Sequence, residues 1–106
     1  MTAEEILVFC TAPNIDVAKK IARTLVEKKT AACVSLLPGL YSTYRWQGKV
    51  EEAEEISMQI KTSRVRYKEL EQLIQSLHPY DVPEIVAIDI KDGLPAYLAW
   101  IKDETS

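Results

Sequence analysis

A single histidine, His78, and only two cysteines, Cys10 and Cys33, occur in 106 residues. Two cysteines, each inside an apolar run, make no disulfide framework, so both are expected as free thiols. No apolar run approaches the ~20 residues that span a bilayer. The opening MTAEEILVFC places an acidic pair where a signal peptide carries basic residues. Both features lead to the expectation of a soluble, cytoplasmic chain with no membrane partner. Positive charge is also scarce, with 13 Lys and Arg against 16 Asp and Glu for a net charge of −3. That balance offers little counterion-release drive toward nucleic acid. There is no glycine-rich phosphate loop and no low-complexity tract, so the whole chain, 1–106, is expected to fold as one domain.

What is present is a regular alternation of strand and helix patterns. EILVFCTA, residues 5–12, is short and rich in branched and aromatic residues, and Pro13-Asn14 closes it, which predicts a buried strand. Val17, Ala18, Ile21, Ala22 and Leu25 then fall on one helical face with Asn14 as N-cap, predicting a helix that ends near Lys29. AACVSLLPGLYSTYRW, residues 31–46, is strand-like on both sides of Pro38-Gly39. After the turn-like Gln47-Gly48, Ile56, Met58 and Ile60 alternate with polar residues. The two runs form a hairpin, with Pro38-Gly39 as a bulge or bend in an edge strand, since proline cannot donate to a ladder. Residues 64–78 place Leu70, Leu73, Ile74 and Leu77 at helical spacing, EIVAIDIK is the last strand, and AYLAWIKDE, residues 96–104, predicts a short C-terminal helix.

The order is βαββαβ with a helical tail, which is the ferredoxin-like α+β sandwich. Its usual strand order is 4-1-3-2, all antiparallel, with both helices on one face. Hairpin strands of about 14 to 16 residues would be roughly 45 to 55 Å long at ~3.3 Å per residue, against a radius of gyration of about 13 Å for a domain of this size. The hairpin must overhang its own core. With Leu40, Tyr41, Tyr44 and Trp46 near its tip, it exposes apolar surface and strand edges, and a second copy of the chain is the simplest cover. Glu51, Glu52, Glu54 and Glu55 read as a solvated hairpin surface, although with water they could hold hard cations weakly.

His78 lies in SLHPYDVPEI, residues 76–85, between the second helix and a rigid double-proline connection. In the 4-1-3-2 sheet the start of the fourth strand lies beside the end of the first, so His78 and Cys10 are expected in one region. A thiolate and an imidazole suit copper or zinc, but two ligands fall short of the usual four, and Asp81, water or a neighbouring subunit would have to complete the set. The alternative is that Cys10 is a small buried hydrophobe and His78 only terminates a helix. A Cys-His pair also suggests a thiol nucleophile and its base. No motif supplies oxyanion donors or a group to orient the imidazole, so no enzyme activity is expected.

FCTAPN at 9–14, AACVSLLPGLYSTYRWQGK at 31–49, the Glu54 to Thr62 strand, HPYDVPEI at 78–85 and YLAWI at 97–101 together resemble the CutA, or divalent-cation tolerance, family. The resemblance implies a homotrimer of ferredoxin-like subunits, PII-like in architecture, joined through the hairpin around Tyr41, Tyr44 and Trp46. It also implies a role in tolerance of divalent cations, with copper, Cu(II) or Cu(I), as the metal and no organic cofactor. The implied ligands are Cys10 and His78, while Leu77 stands in place of a second, adjacent histidine and weakens the site. A different reading of the same architecture is a signalling trimer whose intersubunit clefts bind a small anion or nucleotide, with Lys61, Arg64 and Arg66 as the positive groups.

Overall fold

The computed structural model describes residues 4–106. Its elements are β1 (Glu5–Ala12), α1 (Ile15–Glu27), β2 (Cys33–Trp46), β3 (Lys49–Ser63), α2 (Tyr67–Leu77), β4 (Ile85–Asp89) and α3 (Pro95–Glu104). The four strands form one sheet in the order β2-β3-β1-β4, with all three pairings antiparallel. This is the ferredoxin-like α+β arrangement expected from the patterning.

Local chemistry accounts for the element ends. Asn14 is extended and its side chain accepts a hydrogen bond from the Val17 N–H at 2.9 Å, satisfying one of the free donors at the start of α1. α2 begins at Tyr67 rather than at 64, because Arg64–Arg66 form a tighter 3₁₀ turn that changes direction out of β3. The hairpin turn at Gln47-Gly48 has positive φ at both positions, 50° and 79°, the handedness that matches the twist of paired strands.

The core lies between the sheet and the two long helices. Ile6, Val8 and Met58, with Ile60, Ile21 and Leu25, and Leu70 and Ile74 of α2, are fully buried there. Each such side chain contributes roughly 1.5 to 3 kcal/mol through removal from water. The other face of the sheet is covered only in part. α3 packs against β1 and β3 and buries Ile101, but Val86 and Ile88, which stand opposite Phe9 and Leu7, remain 52% exposed.

The hairpin does overhang. β3 pairs with β1 only from Ile56 to Ser63, so Lys49–Glu55 and their β2 partners Leu40–Trp46 extend beyond the core as a two-stranded ribbon. The long axis of the molecule is 44 Å against 27 and 23 Å across it. That is shorter than a straight 15-residue strand, because strands twist and because β2 is bulged. The bulge falls at Pro38-Gly39 as expected. Leu37 pairs with Ser57 and Leu40 with Glu55, so three steps along β2 match two along β3, and Gly39 takes a φ of 90° that a side chain would resist.

Candidate functional site

His78 is placed by the end of α2. Its own N–H closes the last helical hydrogen bond, to Ile74 O at 2.8 Å, and its backbone then turns extended ahead of Pro79. The ring swings onto the end of β1, where Nε2 donates to Thr11 O at 2.7 Å, while Nδ1 accepts from the Tyr80 N–H at 3.2 Å. A carbonyl requires a donor and an N–H requires an acceptor, so the imidazole is held as the neutral tautomer with its proton on Nε2. With 8% of its surface exposed, the ring straps the second helix to the central strand.

Cys10 meets the same carbonyl. Its Sγ donates weakly to Thr11 O at 3.6 Å, and its side chain is 1% exposed within the core. Burial pushes the thiol up to about 12, the nearby negative charge of Glu84 adds to that rise, and the hydrogen bond to Thr11 only partly offsets it. Cys10 and His78 therefore converge on one backbone atom, as the strand order requires. Each is engaged there, the thiol as a proton-bearing group and the imidazole through both nitrogens. Leu77 is turned onto the core. Among the described residues no group of three or more His, Cys, Asp or Glu side chains is close enough to share a metal ion.

Beside the strap opens a cleft of about 670 Å³. The overhanging ribbon supplies one wall through Tyr44, Trp46 and Glu51, and the Pro79–Glu84 connection supplies the other. Its floor holds Glu55, which corrects the reading of the acidic run as wholly solvated. Glu51, Glu52 and Glu54 are exposed, but Glu55 is 5% exposed and accepts a hydrogen bond from the Tyr80 hydroxyl at 2.9 Å. Glu55 lies just past the end of β1, where the loop carrying Tyr80 folds over the root of the ribbon. Burial, and then Glu55 itself, push the Tyr80 hydroxyl up to about 12. Glu55 and Tyr80 are the residues that sequence reasoning missed. A usable signal was the tyrosine in HPYDVP, a polar aromatic fixed between two prolines and facing the end of the hairpin.

The basic residues considered for an anion do not assemble. Lys61 Nζ hydrogen-bonds Ser35 Oγ at 2.8 Å, Arg64 pairs with Asp89, and Arg66 bonds Glu69 at 3.0 Å and Thr105 O at 2.7 Å. None of the three lines the cleft.

Residues 6–104 match the family model described as CutA1 divalent ion tolerance protein. The divalent-cation tolerance protein CutA of Thermus thermophilus is 46% identical over 101 residues, covering 95% of this chain and 98% of that one. The mouse protein CutA is also 46% identical, over 92% of this chain but only 55% of its own length, so this chain spans about half of that longer relative. Among solved structures, CutA from Xylella fastidiosa superposes with a TM-score of 0.95 at 44% identity, covering 98% of this chain and all of that one. A family match across nearly every described residue, with these identities and this superposition, shows that the chain belongs to the CutA1 divalent ion tolerance family.

Proposed function

We propose that this CutA-family chain acts as a homotrimer in divalent-cation tolerance. The observation that carries the assembly is the half-covered sheet with its overhanging ribbon. Leu37, Val86 and Ile88 are more than half exposed on one side of the sheet, and Tyr44 and Trp46 are each 41% exposed beyond it. Antiparallel sheets accept water on one face, but their exposed positions are then polar. An apolar outer face next to an unpaired ribbon fits burial against other copies, and closed symmetry ends the association. The test is light scattering, where a mass about three times 12.0 kDa supports the proposal and a stable single chain ends it.

The proposed metal is copper, and Cys10 and His78 remain its proposed ligands, reached when the strap opens. Coordination through sulfur needs the thiolate, and coordination through the ring needs one of the nitrogens that now bond Thr11 and Tyr80. Copper binding is therefore weak, slow and stronger as pH rises. Leu77→His adds an imidazole at the expense of core packing and strengthens it. In a calorimetric titration with copper, Cys10→Ser is expected to weaken the binding at least tenfold. Equal affinity in Cys10→Ser, His78→Ala and the parent would remove both residues as ligands. The cytoplasm is the proposed compartment, supported by Cys10 and Cys33 standing as free thiols. A catalytic role is not proposed, since a thiol raised to about 12 is a poor nucleophile at neutral pH.

A further inference from the structure

The helix layer carries a charge distribution that neither the assembly nor the copper reading uses. α1 and its two ends, residues 14–30, hold five of the 13 basic residues, Lys19, Lys20, Arg23, Lys28 and Lys29, but only two of the 16 acidic ones, Asp16 and Glu27. Five positive charges against two negative ones put this segment at +3, while the whole chain is at −3. Ala18, Ile21 and Leu25 form the buried stripe of α1. By helical periodicity Lys19, Lys20 and Arg23 fall on the opposite side, and all five basic residues are exposed. Arg23 is paired with Glu27 at 3.2 Å, an exposed contact that holds little. Lys19, Lys20, Lys28 and Lys29 make no ion pair or side-chain hydrogen bond among the described residues.

Two details set this side of α1 apart from a solvated helix surface. Lys29 stands just past the end of the helix with a φ of 60°. Glycine or asparagine is favoured in that left-handed position, so the lysine charge is kept there at a cost in stability. Val26 lies three residues beyond Arg23 and seven beyond Lys19, on the same side, and it is 42% exposed within the patch. The surface is open in the assembly as well as in the single chain. α1 packs on the helix side of the sheet against β2 and α2. Leu37, Val86 and Ile88, which are offered to other copies, stand on the other face.

The rest of the chain decides what the surface takes. Outside residues 14–30 there are eight basic and 14 acidic residues, so a membrane or a nucleic-acid duplex broad enough to reach past the helix meets repulsion. A narrow polyanion does not. Phosphates also offer nothing apolar to Val26, whereas the side chains of a peptide do. Lys19 to Lys29 spans about 15 Å along the helix, the reach of about five residues of extended chain at ~3.3 Å each. We propose that the outer side of α1 docks an extended acidic segment of a partner protein, with its carboxylates on Lys19, Lys20, Arg23, Lys28 and Lys29 and an apolar side chain on Val26. The surface is separate from Cys10, His78 and the ribbon, so it stands whether or not copper binds.

The probe is a fluorescent peptide, Glu-Glu-Leu-Glu-Glu-Glu, titrated with the full chain and followed by anisotropy at low and at physiological salt. Binding is expected, and it should weaken several-fold as salt rises, because exposed charges are screened. The same peptide with Gln for Glu should not bind, and neither should a DNA duplex or vesicles containing phosphatidylserine. Lys19→Glu/Lys20→Glu is expected to weaken the peptide about tenfold or more, while Lys68→Glu/Lys91→Glu, an equal change of net charge away from α1, should alter it less than about twofold. Lys29→Gly relieves the left-handed lysine, so it should raise the thermal midpoint while weakening the peptide about threefold. All these positions are exposed, and sedimentation at the parent's mass checks that the variants still fold and assemble. The proposal is overturned if DNA or vesicles bind more tightly than the peptide, if the two double variants bind it alike, or if no peptide binds at low salt. It is overturned equally if Lys19→Glu/Lys20→Glu abolishes a self-association beyond the parent assembly, since the occupant is then another copy.

Discussion

Replacing Thr43–Glu52 with Asn-Gly is expected to convert the assembly of about three chains into single chains and to lower the soluble yield. Ser42 and Ala53 are register partners four rungs below the Trp46–Lys49 pair that the native two-residue turn joins, so the new turn closes the shortened hairpin without changing any rung below it. Every residue of β3 that pairs with β1 is retained, as is the whole core, and the far-ultraviolet spectrum should stay that of the parent. What disappears is the ribbon with Tyr44 and Trp46. The exposed Leu37, Val86 and Ile88 then lose their cover, and apolar patches of that kind favour aggregation. Analytical ultracentrifugation gives the answer directly. A trimmed protein that still sediments at three times the chain mass would show that the ribbon does not hold the assembly.

A large effect is also expected at alkaline pH from Cys10. The thiol stands at about 12 in the fold against 9.0 when unperturbed, because burial in the core disfavours the thiolate. The fold thus binds a proton that the unfolded chain gives up above pH 9. The stabilisation is fully present below pH 9 and is lost as pH climbs from about 9 toward 12. Three units at about 1.36 kcal/mol each amount to about 4 kcal/mol over that window. Cys10→Ala leaves a small cavity but has no proton to lose. Its denaturation free energy should start lower than the parent's at pH 8, and the gap should narrow steadily above pH 9. Tyr67 and Tyr80 are raised in the same range and act equally in both proteins, so the difference isolates the thiol. Parallel pH curves for the two proteins would mean that the Cys10 thiol titrates alike in the folded and unfolded chains and is not raised by burial.

Most of the fold was legible because its determinants are local or periodic. Ile56, Met58 and Ile60 alternate, Ile21 and Leu25 share a helical face, and Asn14, Gly48 and Pro79 mark ends by their own backbone preferences. The meeting of Cys10 with His78 near one carbonyl followed from strand order, which is a topological fact. The chemistry at that meeting was not legible. That both imidazole nitrogens are occupied depends on where the Thr11 carbonyl and the Tyr80 N–H point, and no residue pattern encodes those directions. Glu55 illustrates the same gap. Four glutamates in five residues look equivalent in a sequence, and only the position at which β1 stops while β3 continues decides that one of them is covered by Tyr80. The start of α2 was misplaced by three residues because Arg64–Arg66 have the composition of a helix but the hydrogen bonding of a tighter turn.

The extra residue at Pro38-Gly39 acts as a parity switch for the whole ribbon. In a strand the side chains alternate, so the even positions Val34 and Leu36, which pack against the helix-side core, would keep Tyr44 and Trp46 on that side if the pairing ran unbroken. The bulge inverts the count. Beyond it Leu40, Tyr44 and Trp46 stand opposite Glu55, Glu51 and Lys49, on the side of Ser57 and Leu37, while Tyr41 and Arg45 take the other side. Both the aromatic wall of the cleft and the surface offered to other copies depend on that inversion. Length changes on β2 between the bulge and the tip are therefore tolerated in twos. Removal of one residue, Gly39 included, would leave the core strand intact and present the wrong half of the ribbon to everything it is built to touch.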